Sequence, residues 1–155
     1  MAELAAAVHA ITPRRDRTDG ERWMPAIDRR ELVSIFAGGA LGALLRVWIG
    51  EHFDSAPDAW PWAVFAINVS GSFALGYVAT RLQERLPLST YRRPLLGTGF
   101  CGAYTTFSTM QVEVLNIIDA HRYGLAAAYA AASIAAGYTA IWVATAVVRR
   151  TRVAA

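Results

Sequence analysis

Residues 97 to 110, GTGFCGAYTTFSTM, gather Gly97, Gly99 and Gly102 with the hydroxyls of Thr98, Thr105, Thr106, Ser108 and Thr109, and hold no charge. Hydroxyls and aromatic ring edges offer positive charge density to an anion, whereas carbonyls released from a helix are hard oxygen ligands for a small cation. The run is also a poor helix, because glycine costs about 1 kcal/mol against alanine in a helix interior and threonine adds to that. Inside an apolar segment, irregular backbone is tolerated only where protein buries it or a wet cavity meets it. A break between Gly102 and Thr106 would leave carbonyls without intrahelical partners. Spacing alone leaves a second arrangement open, a kinked helix whose hydroxyls bond its own backbone. Beyond the break, Phe107 and Met110 are three apart and share a face, with Ser108, Thr109 and Glu113 on neighbouring faces.

Three further stripes of small or polar residues repeat at helical spacing. Gly38, Gly42 and Arg46 are four apart; so are Asn68, Ser72 and Gly76, with Gly71 beside them, and Tyr129, Ser133 and Gly137. Small residues at this spacing let helix backbones approach closely in lipid, which accounts for the glycines. Asn68, Arg46 and Tyr129 ask for more, since a polar group in hydrocarbon must find partners. Such stripes imply a shared polar path or an interface between subunits. The chain has no internal repeat, so any second half must come from another chain.

The elements that position these residues are long and apolar. Leu32 to Gly50 carries one charge, Arg46; Ala59 to Thr80 carries none; Pro94 to Ile118 carries only Glu113; Tyr123 to Val148 carries none. A bilayer core about 30 Å thick needs roughly 20 apolar residues per helical crossing, and all four stretches reach that length. A soluble bundle would show polar faces at helical spacing, and these are missing. The expected fold is therefore an all-α membrane protein of four transmembrane helices, about 31–50, 60–82, 93–119 and 123–148, with the third broken near its middle. Trp48, Trp60 and Trp62 mark span ends as interfacial rings do, and Pro61 suits the first turn of the second helix.

All 15 basic residues are arginine. Six precede the first span, Arg81, Arg85, Arg92 and Arg93 flank the second connection, and Arg149, Arg150 and Arg152 follow the last span, whereas Arg122 stands alone in the third connection. The positive-inside rule then expects both termini in the cytoplasm of a multi-pass plasma-membrane protein. The basic pI near 9.4 reflects that orientation and not a nucleic-acid partner, because no soluble basic domain remains. Residues 1–28 are expected to be a disordered N-terminal extension to a transmembrane domain over 29–150. Their opening lacks the basic start of a signal peptide. Cys101, the sole cysteine, cannot form an internal disulfide and reads as a small apolar filler. His9, His52 and His121 are scattered away from any carboxylate or thiol constellation, so no enzyme is expected.

The run G-F-C-G-A-Y-T-T-F-S-T-M-x-x-E closely resembles the third-helix signature of the CrcB/Fluc family of fluoride channels. The resemblance extends through G-G-A-L-G-A-L-L-R in span one, W-P-W-x-x-x-x-x-N-x-x-G in span two and Y-x-x-x-S in span four, covering about residues 31 to 150. It implies a fluoride-selective channel for passive export, built as a dual pore between two antiparallel subunits whose broken third helices cross at the centre. It also implies a structural, non-transported sodium ion on the main-chain carbonyls of Gly102 and Thr105. The family's phenylalanine box maps onto Phe107 and Met110, with methionine where phenylalanine is usual. The pore asparagine maps onto Asn68, the fourth-helix polar track onto Tyr129 and Ser133, and the first-helix arginine onto Arg46. Ser108 and Thr109 join this fluoride pathway as hydroxyl donors; Arg46 and Glu113 serve as vestibule or structural groups. Fluoride holds its water tightly, so a selective path must replace that water with strong donors at close range.

Two other classes compete. A small multidrug-type proton-coupled cation transporter shares the four short spans, but it needs a carboxylate in the first, where this chain has only Arg46. A structural membrane protein without transport would not need the weakened run at 102–107. The arginine bias also bears on assembly, because a chain inserting both ways round should have little of it. Either the extension does not set orientation and the protein is an antiparallel homodimer, or it is one half of a heterodimer with a paralogous subunit of opposite topology.

Overall fold

The computed structural model describes residues 28–53, 55–56, 58–84 and 91–150. The extension expected over 1–28 lies outside the described residues, Asp28 apart, as do Arg85 and Arg152. Among the described residues every regular element is helical: α1 (Arg29–His52), α2 (Trp62–Glu84), a π-wound α3 (Pro94–Cys101), the single turn α4 (Gly102–Tyr104), α5 (Phe107–Asp119) and α6 (Tyr123–Arg150). Three stretches are long and apolar enough to cross a membrane: Arg29–His52, Trp62–Leu82 and Tyr123–Arg150. The segment expected as a fourth span, 93–119, is shared among α3, α4 and α5, and no one of these reaches the roughly 20 residues of a crossing. Pro61, expected in the first turn of α2, lies just before it, with its carbonyl accepting the Phe65 N–H at 3.0 Å.

Packing in this protein is inside out relative to a water-soluble bundle. In α1 the buried residues are Gly38 and Gly42, whereas Phe36 and Leu44 are 78% and 68% exposed. In lipid, large apolar side chains gain nothing by hiding, so small residues take the helix contacts. A Cβ on Gly38 would strike the Leu95 carbonyl oxygen, and one on Gly42 the Phe100 carbonyl oxygen. From the other side, a Cβ on Gly99 would come within 2.6 Å of the Ile35 carbonyl oxygen. The helix α1 and the π-wound α3 thus meet backbone to backbone.

The stripe expected on α2 and α6 forms the second seam. Gly76 faces the Ile141 backbone, Ser72 Oγ stands 3.4 Å from where a Gly137 Cβ would be, and the Thr80 and Thr145 hydroxyls are 3.3 Å apart. Where α5 returns against α6, Val64, Met110, Ile117, Ala126 and Tyr129 close into an apolar cluster. The turn joining them uses His121 at φ 59°, with the His121 N–H on the Ile118 carbonyl and the Arg122 N–H on the Ile117 carbonyl. That pattern satisfies the last carbonyls of α5, in a backbone conformation glycine usually supplies.

Candidate functional site

Between α4 and α5 the chain leaves helical geometry for two residues, Thr105 (ψ 152°) and Thr106 (φ −146°, ψ 115°). Three side chains hold this bend. Asn68, 38 positions earlier on α2, grips Thr106 with both ends of its amide: Nδ2 donates to the Thr106 carbonyl at 2.9 Å, and Oδ1 accepts the Thr106 N–H at 2.8 Å. Thr106 is itself the N-cap of α5, its Oγ1 accepting the Thr109 N–H at 3.1 Å while it donates to Thr109 Oγ1 at 2.8 Å. Thr105 Oγ1 donates back to the Cys101 carbonyl at 3.0 Å.

These bonds divert donors from two carbonyls. In a continuous helix the Thr106 N–H would serve the Gly102 carbonyl and the Thr109 N–H the Thr105 carbonyl. Here the first goes to Asn68 and the second to the Thr106 hydroxyl. Gly102 is exposed and Thr105 half-buried. Gly71 lets α2 come up against this bend, since a Cβ there would collide with Thr105 Cγ2. Nearby, the Ser70 and Tyr104 hydroxyls lie 3.0 Å apart.

A groove of about 260 Å³ opens beside the bend, lined by Asn68, Ser72, Thr105, Thr106, Phe107, Met110, Ser133, Ile134 and Gly137. Four of the expected pathway residues, Asn68, Phe107, Met110 and Ser133, therefore share one wall. Phe107 is 68% exposed while Met110, three residues on, is buried against Tyr129. Tyr129 sits behind the groove, fully buried, edge to face on Trp60 at 5.4 Å between centroids. Its hydroxyl and Ser133 Oγ are both buried and lie beside each other on α6, without a hydrogen bond of ordinary geometry to any described residue. Ser108 and Thr109 lie off the groove lining; Thr109 is committed to the N-cap, and Ser108 is exposed with Oγ 3.4 Å from Thr106 Oγ1. Arg46 and Glu113, both half-buried, stand apart from the groove on α1 and α5. Thr106 and Ile134 line the groove without any sequence signal that marks them for it, and Ser72 and Gly137 reach it from the small-residue stripes. Among the described residues, no three His, Cys, Asp or Glu side chains cluster to hold a metal.

Residues 33–145, most of the chain, match the family described as CrcB-like protein, Camphor Resistance (CrcB). The chain belongs to the CrcB family. It is 57% identical over 126 residues to "Fluoride-specific ion channel FluC 1" of Mycolicibacterium paratuberculosis, a match spanning 81% of this chain and 96% of that protein. A protein of the same name in Mycobacterium tuberculosis is 56% identical over 130 residues, covering 84% of this chain and 98% of the relative. At greater distance, "Fluoride-specific ion channel FluC" of Acidobacterium capsulatum is 43% identical over 109 residues, covering 68% and 85%. With three helices apolar enough to cross a bilayer, this CrcB protein is a multi-pass membrane protein.

Proposed function

We propose that the chain forms a fluoride-selective channel that lets fluoride leave the cell passively across the plasma membrane. The observation carrying this reading is the groove at the bend, where a half-committed amide, a buried hydroxyl and an exposed aromatic ring converge. Asn68 spends one N–H on Thr106, and its second amide hydrogen remains to donate. Ser133 Oγ is buried without a well-formed hydrogen bond, so its proton is available to an acceptor in the groove. The ring edge of Phe107 adds a weak positive surface. Neutral donors of this kind replace fluoride's water without trapping the ion, which conduction requires. The relatives' printed names give the same ion.

The groove is open on the Phe107 side, and a second copy or a paralogous chain in antiparallel orientation is the proposed closing wall. The freed carbonyls of Gly102 and Thr105 suit a small monovalent cation, and in this reading they hold a structural sodium ion near the centre of the pair. That ion would supply positive potential for anions while staying in place. With a paralogous partner, both termini of this chain are proposed to face the cytoplasm, following the arginine bias; in an antiparallel homodimer one copy would face each way.

The test is efflux from liposomes reconstituted with this chain alone. Fluoride is expected to leave while chloride stays, and Phe107→Ile is expected to slow fluoride at least about tenfold by removing the ring edge. Equal fluoride and chloride flux would overturn the channel reading. Fluoride flux from the chain alone would eliminate the obligate heterodimer.

A further inference from the structure

At the start of α1, far along the chain from the bend, Arg29, Arg30, Val33, Ser34 and Tyr91 line an open, shallow cavity of about 350 Å³. Two elements build it: the first turns of α1 and Tyr91, which leads into α3. Tyr91 stands beside Arg30, so an aromatic side chain from one element meets a cation of the other. Asp28 is engaged as the α1 N-cap, accepting the Arg30 N–H at 2.9 Å. Of the residues lining the cavity, Arg29 and Arg30 alone are charged. The Ser34 hydroxyl is turned away onto the Arg30 carbonyl at 2.8 Å, which leaves the guanidinium groups as the polar function of the cavity.

The other wall is apolar and continues into the span. Val33 is 66% exposed, and Phe36, three residues further along the same helix, is 78% exposed. A lone arginine at a helix end would simply snorkel to the interface. Two neighbouring arginines at an apolar depression, with exposed Val33 and Phe36 further along the same helix, fit a ligand that is anionic at one end and oily at the other. Arginine forks match phosphate oxygens in a bidentate manner, and basic pockets between helices at a membrane surface take anionic headgroups.

We infer that this cavity binds an anionic phospholipid, with its phosphate on Arg29 and Arg30 and its acyl chain along Val33 and Phe36. Such a lipid ties the start of α1 to the start of α3, the two helices that meet through glycine backbones.

Native mass spectrometry of the full chain in detergent tests this, with phosphatidylglycerol, phosphatidylcholine and inorganic phosphate as probes. Phosphatidylglycerol is expected to stay bound at voltages that strip phosphatidylcholine. The double variant Arg29→Gln/Arg30→Gln is expected to weaken phosphatidylglycerol about tenfold, while Arg81→Gln/Arg150→Gln, with the same loss of charge outside the cavity, changes it less than about twofold. Tyr91→Phe is expected to weaken it by a smaller factor. Unchanged phosphatidylcholine binding and an unchanged gel-filtration profile certify that the variants fold. Equal losses in the two double variants would reduce the cavity to general surface charge. Equal retention of both lipids, or displacement by millimolar phosphate, would overturn the assignment as well.

Discussion

Asn68 shows how one side chain carries both structure and chemistry. Its amide takes the place of a helical turn, supplying Thr106 with the acceptor and the donor that the bend would otherwise leave unmet. Asn68→Leu strands both groups, and each unsatisfied main-chain group costs about 1–3 kcal/mol. The variant is therefore expected to lose roughly 2 kcal/mol or more in a denaturant titration in detergent. Thr106→Ala removes only the N-cap of α5 and is expected to cost about 1 kcal/mol in the same titration. A cost below that of Thr106→Ala would show that Asn68 does not hold the bend. The contrast between Phe107 and Met110 also belongs at this scale. Their three-residue spacing placed both on the groove, yet one ring stands in the open while the thioether packs on Tyr129. Methionine's flexibility lets it fill that irregular gap without a ring edge.

At the level of elements, glycine decides which helices touch. Gly42→Ala would drive a methyl into the Phe100 carbonyl, where neither backbone has room to yield. It is expected to abolish fluoride flux and lower the apparent Tm. Gly97→Ala meets nothing within 4 Å, so it is expected to leave both measurements near wild type although it lies in the same weak run. Equal behaviour of the two alanines would mean that α1 and α3 do not pack through Gly42. Much of this arrangement was legible in the sequence, because apolar length and the i, i+4 stripes are local signals. The seams through Gly38, Gly42, Gly76 and Gly137 follow from them. The π-winding of α3 left no such signal, and neither did the grip of Asn68 on Thr106, which joins residues 38 positions apart. Resemblance marked Asn68 as a pore donor, but only the folded chain brings its amide onto the main chain of Thr106. Tyr129 was placed on a stripe with Ser133; in the fold it is turned into the apolar cluster, with Ser133 alone reaching the groove.

For the whole molecule, the proposed pairing of two chains dictates which way round each must lie in the membrane. Arg122 is exposed in the turn between α5 and α6, on the opposite membrane side from the other flanking arginines in the proposed topology, and Cys101 is buried. An Arg122→Cys variant in sealed vesicles therefore reports orientation without interference from the native thiol. An antiparallel homodimer is expected to give about half labelling by an impermeant maleimide and full labelling after permeabilisation. Labelling of all or none before permeabilisation would assign one orientation to this chain and require a partner of the other.

The hook from Asn68 to Thr106 begins and ends within one polypeptide. In the proposed pair, each newly inserted chain would bring its elbow with it. Under that proposal, dimerisation would be the meeting of two bodies drifting in a two-dimensional fluid, with the ordering entropy of each bend already lost. Its speed would follow how densely the membrane is populated with copies, not how quickly each copy can rearrange.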